Sequence, residues 1–473
     1  MPSHASIYVG GEWLESTAPG RIAVENPATQ LVIAEVPQGS AEDVDRAVRA
    51  ARSAFPGWAA TPVAERARLL AALRDGLEAR QAEMAATITA EMGCPTRVAM
   101  SVQTAVPMAV LSSFIEIASD VEATETVGNS LIIRDPVGVV AAITPWNYPL
   151  HQAVAKIAPA LLAGCTVVHK PSEVAPLSAH LLAELAHAAG IPPGVYNLVH
   201  GSGDVVGEAL ASHPGVDMVS FTGSTRAGRR VSALASATVK RVTLELGGKS
   251  ANLVLPDADI DAAVKVGVAN CFLNAGQTCT AWTRLLAPAS RYDDVLDLAA
   301  AAAARYPAGD PTQSGTRLGP LASGAQRDRV NQYLDRGVGE GARVVAGGRD
   351  AAGLPDTGYY VAATVFADVD SEATIAQEEI FGPVLCVIRY RDEDDAVRIA
   401  NSTPYGLAGA VWSADVDHAM NVARRLRTGQ VDINGARFNP GAPFGGYGQS
   451  GTGRELGRHG LEEFLLLKSI QQP

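Results

Sequence analysis

From about residue 137 the chain alternates short apolar, β-branched runs with stretches of helical periodicity. The runs are VGVVAAIT, TVVHK, VYNLV, MVSFTG and VTLEL, and between them lie 151–163, 176–189, 203–212 and 224–235. Strands alternating with helices fold as a parallel sheet with helices on its faces. A second series repeats the pattern with SANLVL, a helix from about 258, RLLAP, a helix near 291–305, VLCVIRY, a helix near 393–401, LAGAVW and a helix near 415–427. The pattern predicts an α/β protein with two open parallel-sheet domains. Ahead of the first sheet, 41–55 and 62–92 carry helical periodicity rich in Ala, Arg and Glu, suited to covering a sheet face, with Pro62 in a first helical turn.

Two segments break this rhythm. Residues 118–136 (ASDVEATETVGNSLIIRDP) are polar and β-prone, and the tail LEEFLLLKSI reads as an exposed apolar strand. An apolar strand left unpaired invites aggregation, so the tail is expected to pair with another subunit or else to dock on its own domain.

Composition then narrows the class. A chain of 473 residues, 47% hydrophobic and 19% charged, is ordinary globular material able to bury a sizeable core. Its net charge of -12 opposes binding to nucleic acid or an anionic membrane. The five cysteines, Cys94, Cys165, Cys271, Cys279 and Cys386, form no CxxC pair, as expected of reduced thiols in a cytoplasmic protein. The opening MPSHASIYVGGEWLE lacks a basic stretch followed by an apolar core, so no export signal is expected. The most apolar region, 153–168, is interrupted by Lys156, Pro159 and Gly164 and falls short of the roughly 20 apolar residues of a membrane helix. It predicts a buried helix and strand. Nine histidines without HExxH or a Cys/His cluster predict no metal site.

Candidate chemistry lies at three places. FLNAGQTCT (272–280) sets Cys279 beside a Gly-Gln turn in small, polar company, a seat for a nucleophile. ELGGKS (245–250) sets Glu245 one residue before a Gly-Gly pair, where close backbone approach is allowed and a carboxylate can serve as general base. TPWNYP (144–149) sets Asn147 between two prolines that aim its amide, a donor suited to an oxyanion. Two Gly-bearing turns invite a dinucleotide. GSGDVVG (201–207) follows a strand and precedes a helix with the spacing GxGxxxG, which also suits a plain tight turn. FTGST (221–225) ends a strand and begins a helix, offering the backbone N–H groups of Gly223 and Ser224 and a hydroxyl to a pyrophosphate, although Ser224 serves equally as an N-cap.

With KPSE (170–173), EEIFGP (378–383) and PFGGYGQSG (443–451), these motifs resemble the NAD(P)-dependent aldehyde dehydrogenase superfamily, in order and at the expected intervals over nearly the whole chain. The resemblance implies a Rossmann-like cofactor domain over 1–117 and 137–247, a catalytic domain over 248–459, and an oligomerisation arm of 118–136 with 460–473. A homodimer or homotetramer follows. It implies that the Cys279 thiolate attacks an aldehyde, that Asn147 and the Cys279 N–H hold the oxyanion, that hydride passes to NAD, and that Glu245 activates the water that hydrolyses the thioester. Coenzyme-A-acylating relatives usually lack that glutamate. Lys156 is implied to support the asparagine site, a solvated helix lysine being the alternative. Implied cofactor residues are Trp146, Lys170, Ser172, Glu173, Gly203 and Gly207, together with Phe221, Gly223, Ser224, Leu246, Glu379 and Phe381. Because a carboxylate accepts from a ribose diol and repels a 2'-phosphate, Glu173 favours NAD over NADP. The substrate tunnel is implied to involve Tyr148, Gln152, Ala155, Thr278, Thr280 and Phe444 and the loop 434–443, where Gly435 and Ala436 are small and Arg437 either pairs with a substrate carboxylate or faces solvent. The alternatives are a semialdehyde-specific or coenzyme-A-acylating enzyme, or a non-catalytic NAD-binding scaffold.

Overall fold

A computed structural model describes residues 6–473, so the first five residues of the segment read for an export signal lie outside the described residues. The apolar runs become the strands Val139–Ile143, Thr166–Lys170, Tyr196–Leu198, Met218–Thr222 and Arg241–Glu245, the parallel centre of an eight-stranded sheet. Val139–Ile143 is buried throughout because both faces are covered. Val140 and Ala142 enter one apolar cluster, and Val139, Ala141 and Ile143 another, as the period of two requires.

The order of this sheet sets the site. From Val139–Ile143 the chain steps outward through Thr166–Lys170 and Tyr196–Leu198, then returns to place Met218–Thr222 and Arg241–Glu245 on the opposite side. The reversal opens a crevice at the carboxyl ends of Val139–Ile143 and Met218–Thr222, where open α/β sheets bind ligands. Antiparallel strands cap both ends of the sheet, Gly451–Thr452 beside Arg241–Glu245, and the hairpin Ser6–Val9 with Glu12–Glu15 beside Tyr196–Leu198.

The second sheet has seven strands in the order Arg343–Ala346, Thr364–Ala367, Val384–Tyr390, Arg284–Pro288, Ala251–Val254, Gly409–Trp412 and Asp432–Ile433, all parallel except the first. Gly247 and Gly248 lie on the short link from Glu245, which ends a strand of the first sheet, to Ala251, which begins one of the second. Loops at the carboxyl edge of one sheet therefore face loops at the amino edge of the other.

Several elements depart from the expectations. Pro62 is the residue before the helix Val63–Ala79, not in its first turn, with an extended ψ of 140°. The hairpin Arg21–Asn26 with Leu31–Pro37 and the helix Gly324–Gly339 carry no clear periodicity, and the sequence did not predict them. The most membrane-like stretch is not 153–168 but the helical run Thr96–Glu116, with mean hydropathy 1.6 over its most apolar window. Its Val110, Leu111 and Phe114 are wholly buried in the apolar cluster against the first sheet, which accounts for that composition.

The two segments that broke the rhythm meet. Leu465–Gln471 runs antiparallel along the full length of Ser130–Pro136, which pairs in turn with Glu125–Val127. The strand begins later than LEEF suggests, because Glu462 ends the helix Gly457–Glu462 and Phe464 is buried. Leu466, Leu467 and Ile470 on this edge strand are 45%, 73% and 42% exposed.

Candidate active site

Cys279 stands where two cavities meet, one of about 250 Å³ at the sheet crevice and one of about 280 Å³ on the opposite side. Its loop is held in an unusual conformation. After the helix Ile260–Phe272 the chain passes through Asn274, Ala275 and Gly276 with φ of 54°, 56° and 74°. Left-handed backbone costs roughly 1–2 kcal/mol at each residue bearing a Cβ. At Gly276 a Cβ would lie 2.0 Å from the Gly382 carbonyl oxygen, so only glycine fits.

Hydrogen bonds offset this strain and tie the loop to Asn147. Asn274 Nδ2 and Gln103 Nε2 donate to the Asn147 carbonyl at 2.9 and 2.8 Å, and Asn147 Nδ2 donates to the Gln277 carbonyl at 3.0 Å. Gln277 Nε2 donates to the Asn274 carbonyl at 3.1 Å, and Gln277 Oε1 accepts the Ala322 N–H at 2.9 Å. Asn147 is thus aimed by three buried amides as well as by its flanking prolines, and one N–H of its own amide remains for an oxygen beside Cys279.

The resting thiol is not a thiolate. Burial pushes Cys279 up to about 12, and the carboxylates of Glu379, Glu245 and Glu455 add to the shift while its backbone N–H opposes it. Glu245, 4% exposed, is raised well above the ordinary carboxylate range, first by burial and then by the like charge of Glu455, with Lys156 and Arg454 opposing. Its Oε2 has no hydrogen-bond partner, so one lone-pair face is open to a water.

Lys156 does not reach Asn147. Wholly buried, its Nζ donates to Thr222 Oγ1 at 2.6 Å and forms an ion pair with Glu455. Because the helix Pro149–Ala163 is buried on nearly all sides, the lysine is turned into the protein instead of outward, so the solvated alternative fails, and its hydrogen bonds go to Thr222 and Glu455, not to Asn147. It belongs to the electrostatic surroundings of Glu245.

The first cavity is lined by Trp146, Gly223, Ser224, Leu246, Glu379 and Phe381, as the resemblance implies. Trp146 and Phe381 meet edge to face at 5.4 Å between ring centroids. Two further residues appear here that the sequence did not single out. Gln326 Nε2 and Arg329 Nη2 donate to the Phe381 and Glu379 carbonyls at 2.7 and 2.6 Å, fixing EEIFGP from the helix Gly324–Gly339. Burial raises Glu379 to about 7, and its Oε1 accepts the Gly248 N–H at 3.1 Å. A Cβ on Gly247 would fall 2.2 Å from Glu379 Oε2, so this glycine lets carboxylate and backbone share the cleft.

Other expected cofactor contacts are modified. The Gly223 N–H is taken by the Glu245 carbonyl at 3.0 Å, because the strand pairing continues one residue past Thr222, and so it is not available to a pyrophosphate. Ser224 is the N-cap of Thr225–Ala235, its Oγ accepting the Ala227 N–H at 3.3 Å while its proton stays free to donate. Phe221 is buried in the core below the cleft and does not line it; a Cβ on Gly223 would strike its ring at 2.6 Å. Lys170 ends its strand with Nζ 2.7 Å from the Pro171 carbonyl and 3.5 Å from Glu173 Oε2. Ser172 Oγ accepts the Val174 N–H at 3.3 Å, and Gly207 lies against Lys170, 3.8 Å from where its Cβ would sit, whereas Gly203 faces open space. This group occupies the neighbouring carboxyl edge, outside the first cavity.

The second cavity takes in Tyr148, Gln152, Thr278, Thr280, Gly435 and Phe444. The Tyr148 hydroxyl and Thr278 Oγ1 are hydrogen-bonded at 2.8 Å. Ala155 departs from its expectation, and Arg437 takes its solvent-facing alternative. Ala155 is buried in the core, and Arg437 is exposed outside the cavity, while Ala436 and Phe438 on either side of it face in. Phe444 exchanges backbone hydrogen bonds with Glu455 at 2.8 and 2.7 Å, joining the cavity wall to the carboxylate beside Glu245.

Comparison with known proteins agrees with this geometry. The aldehyde dehydrogenase family model matches residues 13–470. The chain is 48% identical to 3-succinoylsemialdehyde-pyridine dehydrogenase of a Pseudomonas species, covering 99% of both chains, and 46% identical to geranial dehydrogenase of Castellaniella defragrans, covering 99% of this chain and 98% of the relative. The crystal structure of a mutant of aldehyde dehydrogenase C from Pseudomonas syringae, in complex with NAD+ and octanal, superposes with a TM-score of 0.98 at 48% identity, over 99% of this chain and 96% of that one.

Proposed function

The chain belongs to the aldehyde dehydrogenase family and oxidises aldehydes with NAD as acceptor, and from that premise we propose that Cys279, Asn147 and Glu245 carry the reaction. The observation behind this assignment is the position of Cys279 at the junction of the two cavities, between residues suited to a dinucleotide and a chamber suited to an organic chain.

The cleft fits the cofactor. Gly247 lets the Glu379 carboxylate lie against the backbone at the cleft, and Trp146, Leu246 and Phe381 give it apolar walls. Ser224 would donate to the pyrophosphate, Glu379 would accept from the ribose near the reacting end, and Lys170 with Glu173 would meet the adenosine ribose. A carboxylate at Glu173 favours NAD over NADP. NAD, when bound, supplies the hydride acceptor.

The Cys279 thiol gives its proton to solvent water as the sulfur adds to the aldehyde carbon, and the Asn147 amide with the Cys279 N–H stabilises the oxyanion, each such donor contributing about 2.7–4 kcal/mol. Loss of hydride leaves a thioester on Cys279. Glu245 then takes a proton from water, the hydroxide attacks the thioester carbon, and the carboxylic acid departs as the thiol is restored. A free Oε2 and a raised pKa suit Glu245 to this step. Its presence favours hydrolysis over transfer to coenzyme A. Purified protein with NAD and aldehydes is expected to form NADH without coenzyme A; a strict requirement for coenzyme A would refute the hydrolytic reading, and NAD binding without turnover would favour the scaffold alternative.

We read the eight-stranded unit as the cofactor domain, the seven-stranded unit as the catalytic domain, and the three-stranded sheet as an oligomerisation arm. An exposed edge strand carrying Leu466, Leu467 and Ile470 suits pairing with a second copy. Leu467→Asp is expected to shift the sedimentation coefficient toward the monomer, and a wild-type chain that sediments as a monomer overturns this part. The free cysteines, four of them buried, suit a cytoplasmic location, which cell fractionation checks.

A further inference from the structure

The second cavity carries a charge pattern that the reaction itself does not explain. Its walls combine Val102, Val106, Leu273, Trp282 and Phe438 with one acidic side chain, Asp432, from the edge strand Asp432–Ile433. No lysine or arginine lines it among the described residues. The remaining candidate cation, His151, is driven down to about 4 by burial and by the charge of Lys156, and its Nδ1 has no partner, so at neutral pH it is an uncharged imidazole. Arg437, the residue that would have answered a substrate carboxylate, is turned out to solvent.

Resting on the proposed reaction, we infer that Asp432 is a specificity-determining residue of the substrate chamber, reserving it for uncharged aldehydes and excluding those that carry a carboxylate. A second carboxylate entering this chamber would lose its hydration, find no counter-charge and face Asp432, three effects of the same sign. Gln430 Nε2 donates to Asp432 Oδ1 at 3.0 Å and holds the side chain in place. The chamber of about 280 Å³, walled mainly by apolar side chains, suits a medium aliphatic chain or an aromatic ring. An apolar tail desolvates the walls favourably, at about 0.8 kcal/mol per buried methylene, whereas a terminal carboxylate cancels that gain.

The test compares kcat/KM for matched pairs, hexanal with 6-oxohexanoate and benzaldehyde with 4-carboxybenzaldehyde, in the full-length wild type, Asp432→Asn and Asp432→Glu. The wild type is expected to prefer the uncharged member of each pair. In Asp432→Asn the preference ratio is expected to fall about tenfold, the change that about 1.4 kcal/mol of relieved repulsion produces. Asp432→Glu, which keeps the charge, is expected to retain the ratio. A wild-type preference for the carboxylated member, or an equal ratio in wild type and Asp432→Asn, overturns the inference while leaving the dehydrogenase reading intact. No NADH from any of the four aldehydes, while another aldehyde is turned over, overturns this inference alone; NAD binding with no NADH from any aldehyde overturns the dehydrogenase reading as well.

Discussion

Cys279→Ala is expected to lower NADH formation by roughly 10⁴-fold or more while leaving NAD affinity close to that of the wild type. The size of the loss follows from what the sulfur does. Without it no covalent adduct forms, so Asn147 has no oxyanion to stabilise and Glu245 has no thioester to hydrolyse; residues that act as a unit lose their contributions together. The side chain is half-buried at the junction of the cavities, and alanine fits wherever cysteine does. The loop itself is held by Asn274, Gln277 and Gly276, which the substitution leaves in place. Single-turnover absorbance and a titration with NAD separate the two effects. Full activity in this variant is incompatible with the proposed role.

Glu245→Gln is expected to separate the two halves of the reaction. Addition and hydride loss proceed, so each site releases one equivalent of NADH, after which the thioester persists and steady-state turnover falls by roughly 10²–10⁴, the usual contribution of a general base. A rapid-mixing trace with a burst of one equivalent and a nearly flat second phase is the signature. A uniformly slow trace with no burst would place Glu245 before hydride loss. The pH dependence carries a sign as well. Glu245 must be ionised to act, so wild-type hydrolysis rises with pH through the raised pKa of this carboxyl. Glu455→Gln removes the like charge, lowers that pKa and moves the acidic limb of the profile to lower pH. Lys156→Met removes the opposing cation and moves it to higher pH.

The strands were legible because each is a short apolar run covered on both faces, as in Val139–Ile143 and Thr166–Lys170, and the candidate nucleophile, base and amide were legible because glycine and proline punctuate their motifs. What escaped is what long-range pairing decides. Lys156 and Glu455 are 299 positions apart, and Asn147 and Gln277 are 130 apart. No local period connects such residues, so the sequence alone points Lys156 toward the nearby Asn147 and gives no signal for its pairing with Glu455. Gln326 and Arg329 sit on a helix with a largely polar surface, whose role is to grip the carbonyls of Phe381 and Glu379. The orientation of Arg437 depends on which way one loop residue turns, and composition does not encode that.

Three carboxylates around one sulfur also bear on how long the enzyme survives. Peroxides and electrophiles attack thiolates, and a group pushed up to about 12 presents almost none at neutral pH. Slow loss of NADH-forming activity in cofactor-free enzyme treated with peroxide is therefore expected, and rapid inactivation would contradict a protonated resting Cys279. On this account the same acidic surroundings that make the first step demanding would also govern how fast the sulfur is lost to oxidants.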